Sequence, residues 1–160
     1  MDIYKGSRLD EWGTPPKLIR VDLGLGAFDA IDVCASKENH KFTSYWTQEQ
    51  NALAQTWPVN QLCWMNPPYS QARAFFEKAA KEAARGVKII AIYKATNLET
   101  ELWQSVIFGS AKGILFIRGR TEYTNGAETK KGVPFGSALI FYNTAPTPEQ
   151  RKLGRYVKCQ

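Results

Sequence analysis

The sequence predicts a single α/β domain built on a largely parallel sheet, and three observations lead there. The chain has 160 residues, room for one ordinary core and too few for two independent ones. Hydrophobic residues make up 44% and charged residues 22%, enough apolar surface to offset the entropy of ordering the chain, so global disorder is excluded. Between residues 61 and 120 apolar runs alternate with helical patterns in the order strand, helix, strand, helix, strand, the alternation of a parallel α/β sheet.

Each element has its own signal. Residues 14–25 open with Thr14-Pro15-Pro16 and continue with Leu18, Ile19, Val21 and Leu23. Proline at a helix start followed by an apolar face predicts a short helix. Gly24-Leu25-Gly26 reads as its C-cap and turn, because a phosphate-binding glycine fingerprint follows a strand, whereas this one precedes it. Residues 27–36 alternate and then become small and polar, a strand whose carboxyl end carries Asp32. Residues 37–60 are polar with scattered aromatics and predict irregular or weakly helical chain. Residues 61–65 form a short apolar strand that runs into the proline-locked turn Asn66-Pro67-Pro68-Tyr69, and 71–86 have helical spacing ending in glycine. A strand over 87–95, a helix over 96–110 and a strand over 113–120 follow. Residues 121–136 read as a glycine- and lysine-rich loop, and 137–143 as a final strand. The tail from Thr144, with Pro146 and Pro148, is expected to be loosely packed. The whole chain, 1–160, is read as one domain, with 1–9 and 145–160 peripheral or flexible.

Several function classes fall away on composition. No apolar run approaches the roughly 20 residues that cross a bilayer, and the polar start does not suit a signal peptide. The expectation is a soluble, cytoplasmic protein with no membrane partner. Cys34, Cys63 and Cys159 are odd in number and form no C-x-x-C, and His40 is the one histidine. Neither a disulfide framework nor a His/Cys metal site is predicted. A histidine-dependent nucleophile system would have to use His40, which sits in a polar stretch and is read as a solvated surface residue. Cys34 and Cys63 are read as buried, inert strand residues. Trp46, Trp57, Trp64 and Trp103 are read as packing residues, and Lys94 as a solvated lysine.

The net charge of +6 is unevenly placed. Residues 1–110 carry 12 Lys/Arg and 12 Asp/Glu, whereas residues 111–160 carry nine and three, so the whole excess is C-terminal. Such a region suits phosphate attraction through counterion release, or simple solubility. Arg118 and Arg120 directly follow a predicted strand, where phosphate contact and ordinary surface charge are both open. Lys130 and Lys131 lie in the 121–136 loop, whose length and glycines suit engagement of a groove.

Asn66-Pro67-Pro68-Tyr69 carries the chemistry. Ligands of an open α/β sheet bind at the carboxyl ends of its strands, where this turn sits. Two prolines fix the backbone and remove two N–H donors, so that the Pro67 carbonyl and the Asn66 amide can face one cleft as acceptors for an amino group. Tyr69 offers a face for stacking on a planar ring. A rigid turn with a packed tyrosine would look the same in isolation.

The wider pattern narrows this choice. Asn66-Pro67-Pro68-Tyr69 resembles the catalytic motif of S-adenosylmethionine-dependent amino-group methyltransferases. Asp10-Glu11-Trp12-x-Thr14-Pro15, Asp32-x-x-Ala35-Ser36, Asn39, Tyr45, Leu53, Trp57, Trp64-x-Asn66-Pro67-Pro68-Tyr69-Ser70, Gly119-Arg120 and Pro134-Phe135-x-Ser137-Ala138 are similar, in order, to the phage Dam-type DNA adenine methyltransferase family. The resemblance covers about residues 10–143. It implies a Rossmann-like methyltransferase sheet with helices on both faces, shortened in the cofactor-binding half. It also implies methyl transfer from S-adenosylmethionine to the 6-amino group of adenine in DNA, after extrusion of the base.

The same resemblance assigns residues. Asn66, Pro67, Pro68 and Tyr69 are the catalytic set; Thr14, Pro15, Asp32, Ala35 and Asn51 would hold the cofactor, with Trp12 beside the T-P motif; DNA would meet Arg118, Arg120, Lys130 and Lys131. Where a glycine-rich loop is expected after Asp32, this chain has Val33-Cys34-Ala35-Ser36-Lys37, without glycine. RNA adenine methylation, protein glutamine methylation and a catalytically inactive nucleic-acid-binding relative stay open as alternatives.

Overall fold

A computed structural model describes residues 13–27, 29–125, 128–130 and 134–159. In chain order the strands are β1 (Ala30–Asp32), β2 (Ser44–Tyr45), β3 (Leu62–Met65), β4 (Ile89–Ala95), β5 (Gly113–Ile117), β6 (Tyr123–Asn125), β7 (Glu128–Lys130), β8 (Gly136–Tyr142) and β9 (Gly154–Lys158). Seven of them form one sheet in the order β2-β1-β3-β4-β8-β5-β9, and β6 pairs with β7 as a separate hairpin.

The expected alternation holds from β1 to β4, which are mutually parallel. It fails beyond them, because β8 inserts antiparallel between β4 and β5, and β9 adds antiparallel to the outer side of β5. The reason lies in the connections. A parallel partner needs a crossover that carries the chain back to the far edge, usually a helix, and among the described residues the segment from β5 to β8 holds the β6–β7 hairpin and no helix. Three further expectations give way to the structure. Residues 37–60 contain β2, a two-residue strand too short for alternation to reveal. Residues 121–136 contain a hairpin rather than loop alone. The tail from Thr144 contributes α3 (Pro148–Arg151) and the edge strand β9, with Thr147 closing a reciprocal capping box with Gln150.

Side chains alternate across the sheet with period two. Cys63, Met65, Ile89, Ala91, Ile114 and Ile140 face one core layer with Phe75, Phe76, Trp103 and Ile107. Trp64, Ile90, Ile92, Leu115, Leu139 and Phe141 face another with Leu18, Ile19 and Leu23. The first layer is covered by α1 (Ala72–Ala84) and by the wide helical turn Leu102–Ile107, which runs into α2 (Phe108–Ser110). The second is covered by the helical turn Leu18–Asp22, so both faces carry helical cover, as the family resemblance implies. α1 buries Ala72, Phe75, Phe76, Ala79 and Glu82, an i, i+3, i+4 stripe. It stops at Gly86, whose φ of +98° suits a residue without Cβ. Trp57, Trp64 and Trp103 are fully buried, in line with their reading as packing residues.

This topology gathers the chemistry on one rim. β1, β3, β4 and β5 all run the same way, so Asp32, Asn66–Tyr69, Lys94 and Arg118 emerge together. No helix among the described residues is long and apolar enough to cross a membrane.

Candidate functional site

The turn after β3 changes the chain from strand to helix in a few residues. Pro67 is buried, and Asn66, Pro68 and Tyr69 are half-buried. Pro68, at φ −60° and ψ 134°, keeps the backbone extended, and Tyr69–Gln71 then forms a short helical turn, with the Gln71 N–H donating to the Pro68 carbonyl at 3.0 Å. α1 follows directly.

Asp32 ends the neighbouring strand, in register with Trp64. Its carboxylate is buried and organises the loop that follows. One oxygen accepts the Cys34 N–H at 3.2 Å and the other the Lys41 N–H at 3.0 Å, so both ends of the loop are tied to one side chain. Inside it the Ser36 N–H donates to the Asn39 side-chain oxygen at 2.8 Å, and the Asn39 N–H to the Ser36 hydroxyl at 3.2 Å. The Ala35 N–H donates to the Trp46 carbonyl at 3.0 Å. No residue from 33 to 41 has a positive φ. Asp32, Ser36 and Asn39 therefore shape this loop by side-chain hydrogen bonds, in a backbone that needs no glycine. The Asn66 backbone bonds to the Cys34 sulfur, which joins the loop to the N-P-P-Y turn. Cys34 thus lies just past β1 rather than within it, and burial together with the Asp32 carboxylate pushes its thiol well up. Cys63 is a buried β3 residue, its thiol pushed up to about 12, by burial first and by Glu82 second.

Burial raises the Asp32 carboxyl to about 6, although its two backbone N–H partners, Lys41 and His40 all oppose the shift. A buried carboxylate so incompletely compensated suits a cationic partner. Thr14 is a second such group. It is fully buried, and its hydroxyl has no hydrogen-bond partner among the described residues. Pro15 stands beside it at the head of the Leu18–Asp22 turn, its carbonyl accepting the Leu18 N–H at 3.0 Å. Between this segment (Pro16, Ile19, Arg20) and the Asp32 loop (Glu38 to Lys41) lies a cavity of about 240 Å³. His40 at its wall is exposed, in line with its reading as a surface residue, and stacks on Tyr45 with ring centroids 4.1 Å apart. Asn51 is exposed, in a turn, at φ +53°, a conformation asparagine tolerates better than most residues.

Tyr69 is the hub of an aromatic cluster that the sequence pattern does not reveal. Tyr93 and Phe135 meet it edge-on, at centroid distances of 5.7 and 5.9 Å. Tyr123 bonds to Tyr69 and, at 2.6 Å, to the Ser137 hydroxyl. Phe135 and Ser137 belong to the Pro134-Phe135-x-Ser137-Ala138 pattern, whose order is legible in the sequence although its packing role is not. Nothing in the sequence singles out Tyr93 or Tyr123. Lys94 also departs from its reading as a solvated lysine: it is half-buried, and its ammonium lies 5.0 Å from the Tyr69 ring centroid.

Arg118 and Arg120 are exposed just beyond β5, and Lys130 ends β7. Lys131 and Trp12 lie outside the described residues. Lys112 and Lys158 sit at the opposite rim, beside the Gly113–Lys158 pair, so only part of the C-terminal charge flanks the site.

A family model described as DNA N-6-adenine-methyltransferase (Dam) matches residues 4–155. The chain belongs to the Dam family. It is 32% identical over 132 residues to the DNA N-6-adenine-methyltransferase of Escherichia phage T1, covering 78% of this chain and 54% of that protein. It is 30% identical over 120 residues to the DNA N-6-adenine-methyltransferase of Haemophilus phage HP1 (strain HP1c1), covering 72% and 68%. The chain thus spans about half the length of the T1 relative. A Dam-family methyltransferase implies a methyl donor, and two observations fit a donor that carries an ammonium group: the under-compensated Asp32 carboxylate and the unpartnered Thr14 hydroxyl.

Proposed function

We propose that this chain transfers a methyl group from S-adenosylmethionine to the 6-amino group of adenine in DNA. The observation that carries the reading is the placement of Asn66-Pro67-Pro68-Tyr69 at the carboxyl end of β3, beside the loop folded by Asp32 and bonded to it through Cys34. When bound, S-adenosylmethionine supplies an electrophilic sulfonium methyl. Asp32 would pair with its ammonium, Thr14 would give a hydroxyl to its polar end, and Pro15, Ala35, Asn51 and Trp12 would complete the pocket.

The 6-amino nitrogen of adenine is a poor nucleophile, because its lone pair is delocalised into the ring. Hydrogen bonds accepted from that amino group by the Asn66 amide and the Pro67 carbonyl favour a tetrahedral nitrogen and free the lone pair for in-line attack. The methyl would part from its sulfur, which keeps the bonding pair, and the surplus amino proton would pass to water. Pro67 and Pro68 hold the two acceptors still, so their alignment costs no reordering in the transition state. In a duplex the target base is stacked and must be extruded, and Tyr69 supplies a replacement surface. Arg118, Arg120, Lys130 and Lys131 would hold the flanking phosphates.

The test is methyl transfer to unmethylated duplex DNA, RNA and a glutamine-containing peptide, in wild type and Asn66→Ala. N6-methyladenine in DNA is expected, with the variant's turnover lowered at least about a hundredfold and its cofactor binding retained. Methylation of RNA or peptide alone, or an Asn66→Ala variant with wild-type turnover, would overturn the reading.

A further inference from the structure

Lys94 occupies a place that the methyl-transfer chemistry leaves without a role. It lies near the end of β4, in register opposite Ser137. The two side chains therefore stand on the same face of the sheet. Ser137 in turn holds the hydroxyl of Tyr123, the first residue of the β6–β7 hairpin. Lys94 thus stands between the N-P-P-Y turn and the root of the hairpin. Its ammonium belongs to a half-buried residue, pairs with no carboxylate among the described residues, and rests over the Tyr69 ring.

A cation held only by a ring quadrupole is weakly partnered. A lysine has three donors and no acceptor, so a full anion competes readily for it. An adenine stacked on Tyr69 brings its own sugar-phosphate to the margin of that ring. The ammonium lies over the ring, 5.0 Å from its centroid, on a flexible four-carbon stem that can swing to that margin without disturbing the strand.

We infer that Lys94 is a DNA-binding residue of the target pocket, which leaves the Tyr69 ring to grip a phosphate flanking the extruded adenine. The inference rests on the proposed DNA adenine methylation. It adds to Arg118, Arg120, Lys130 and Lys131 a contact inside the pocket, made when the nucleotide is drawn in. A lysine whose ammonium merely props Tyr69 would alter turnover and leave the salt slope of DNA binding unmoved, whereas this role changes the slope.

The experiment compares wild type, Lys94→Met and Lys94→Arg on unmethylated duplex DNA of mixed sequence. It measures the logarithm of the DNA binding constant against the logarithm of salt concentration, steady-state KM and kcat, cofactor affinity and thermal melting. Lys94→Met is expected to raise KM for DNA several-fold and to lower the salt slope by about 0.9, the value of one phosphate contact. Cofactor affinity and melting should stay at wild type, and Lys94→Arg should restore the slope. A Met variant with the wild-type slope would overturn the inference, whether its turnover falls or not, since losing the contact with Tyr69 alone removes no phosphate contact. A wild-type chain that methylates DNA while Lys94→Met matches it throughout sinks this inference alone. A wild-type chain that neither binds nor methylates DNA sinks the function reading, and this one with it.

Discussion

Under the proposed function Asp32 would do two things at once, with pH dependences that run in opposite directions. Its carboxyl titrates near 6 in the folded chain against an ordinary 3.8, because burial outweighs the hydrogen bonds it accepts. The folded state therefore holds the proton more tightly than the unfolded one. The stability tied to this group is fully present below pH 3.8 and is lost as pH rises through 6, by about 3 kcal/mol across the window. Wild type should gain stability relative to Asp32→Asn as pH falls from about 7 to about 4, measured by denaturant unfolding of both chains. Pairing with an ammonium needs the ionised form instead. S-adenosylmethionine should accordingly bind more weakly below pH 6, approaching tenfold per pH unit, while Asp32→Asn binds weakly with little pH dependence. Calorimetric titrations from about pH 5 to about pH 8 check this.

At the scale of elements, a two-residue strand, a hairpin and an edge strand are the features that local pattern did not reveal. β9 depends on one small residue. A Cβ at Gly154 would run into the Phe116 carbonyl of β5, the strand to which β9 is paired. Gly154→Ala is expected to loosen β9 from β5, lowering stability by about 1–3 kcal/mol and speeding amide exchange at Arg155, Val157 and Cys159, whose N–H groups face β5, but not in β3 or β4. Hydrogen exchange resolved by residue reads this directly. The join between α1 and the 52–57 segment rests on a buried cluster. Glu82 accepts the Trp57 N–H at 3.3 Å, pairs with Lys78 at 2.6 Å and meets Arg85. Burial alone would raise the Glu82 carboxyl, but the two cations outweigh it and hold it below its ordinary value. Its contribution is thus present above the ordinary carboxylate range and lost as pH falls through the folded value.

The whole molecule separates its charge from its core. Asp32, Asn66–Tyr69, Lys94 and Arg118 share one rim because four strands run the same way, and the hairpin hangs from that rim between β5 and β8. Lys112 and Lys158 are at the other rim, so net charge alone overstates the cationic surface that DNA would meet. Reversing Lys130 and Lys131 to Glu should weaken DNA binding and flatten its salt dependence by about 0.9 for each phosphate no longer neutralised, with cofactor affinity unchanged. Reversing Lys112 and Lys158 should leave the slope near wild type. Salt titrations of the two double variants separate a local grip from a diffuse attraction.

Elements with a local signal were legible in the chain itself: the apolar runs of β3, β4 and β8, the amphipathic stripe of α1, and the N-P-P-Y turn with its neighbours in family order. Those follow from side-chain periodicity and from proline's fixed φ, which act within a few residues. Whatever depends on partners distant in the chain was set by the fold. β8 is antiparallel because its connection cannot cross back over the sheet. The loop after Asp32 forms without glycine because Asp32 accepts an N–H nine residues on. Tyr69 meets Phe135 and Tyr123 only because β4 and β8 pair. Such contacts span up to dozens of residues, and they are set by which strands find each other rather than by any pattern a short window contains.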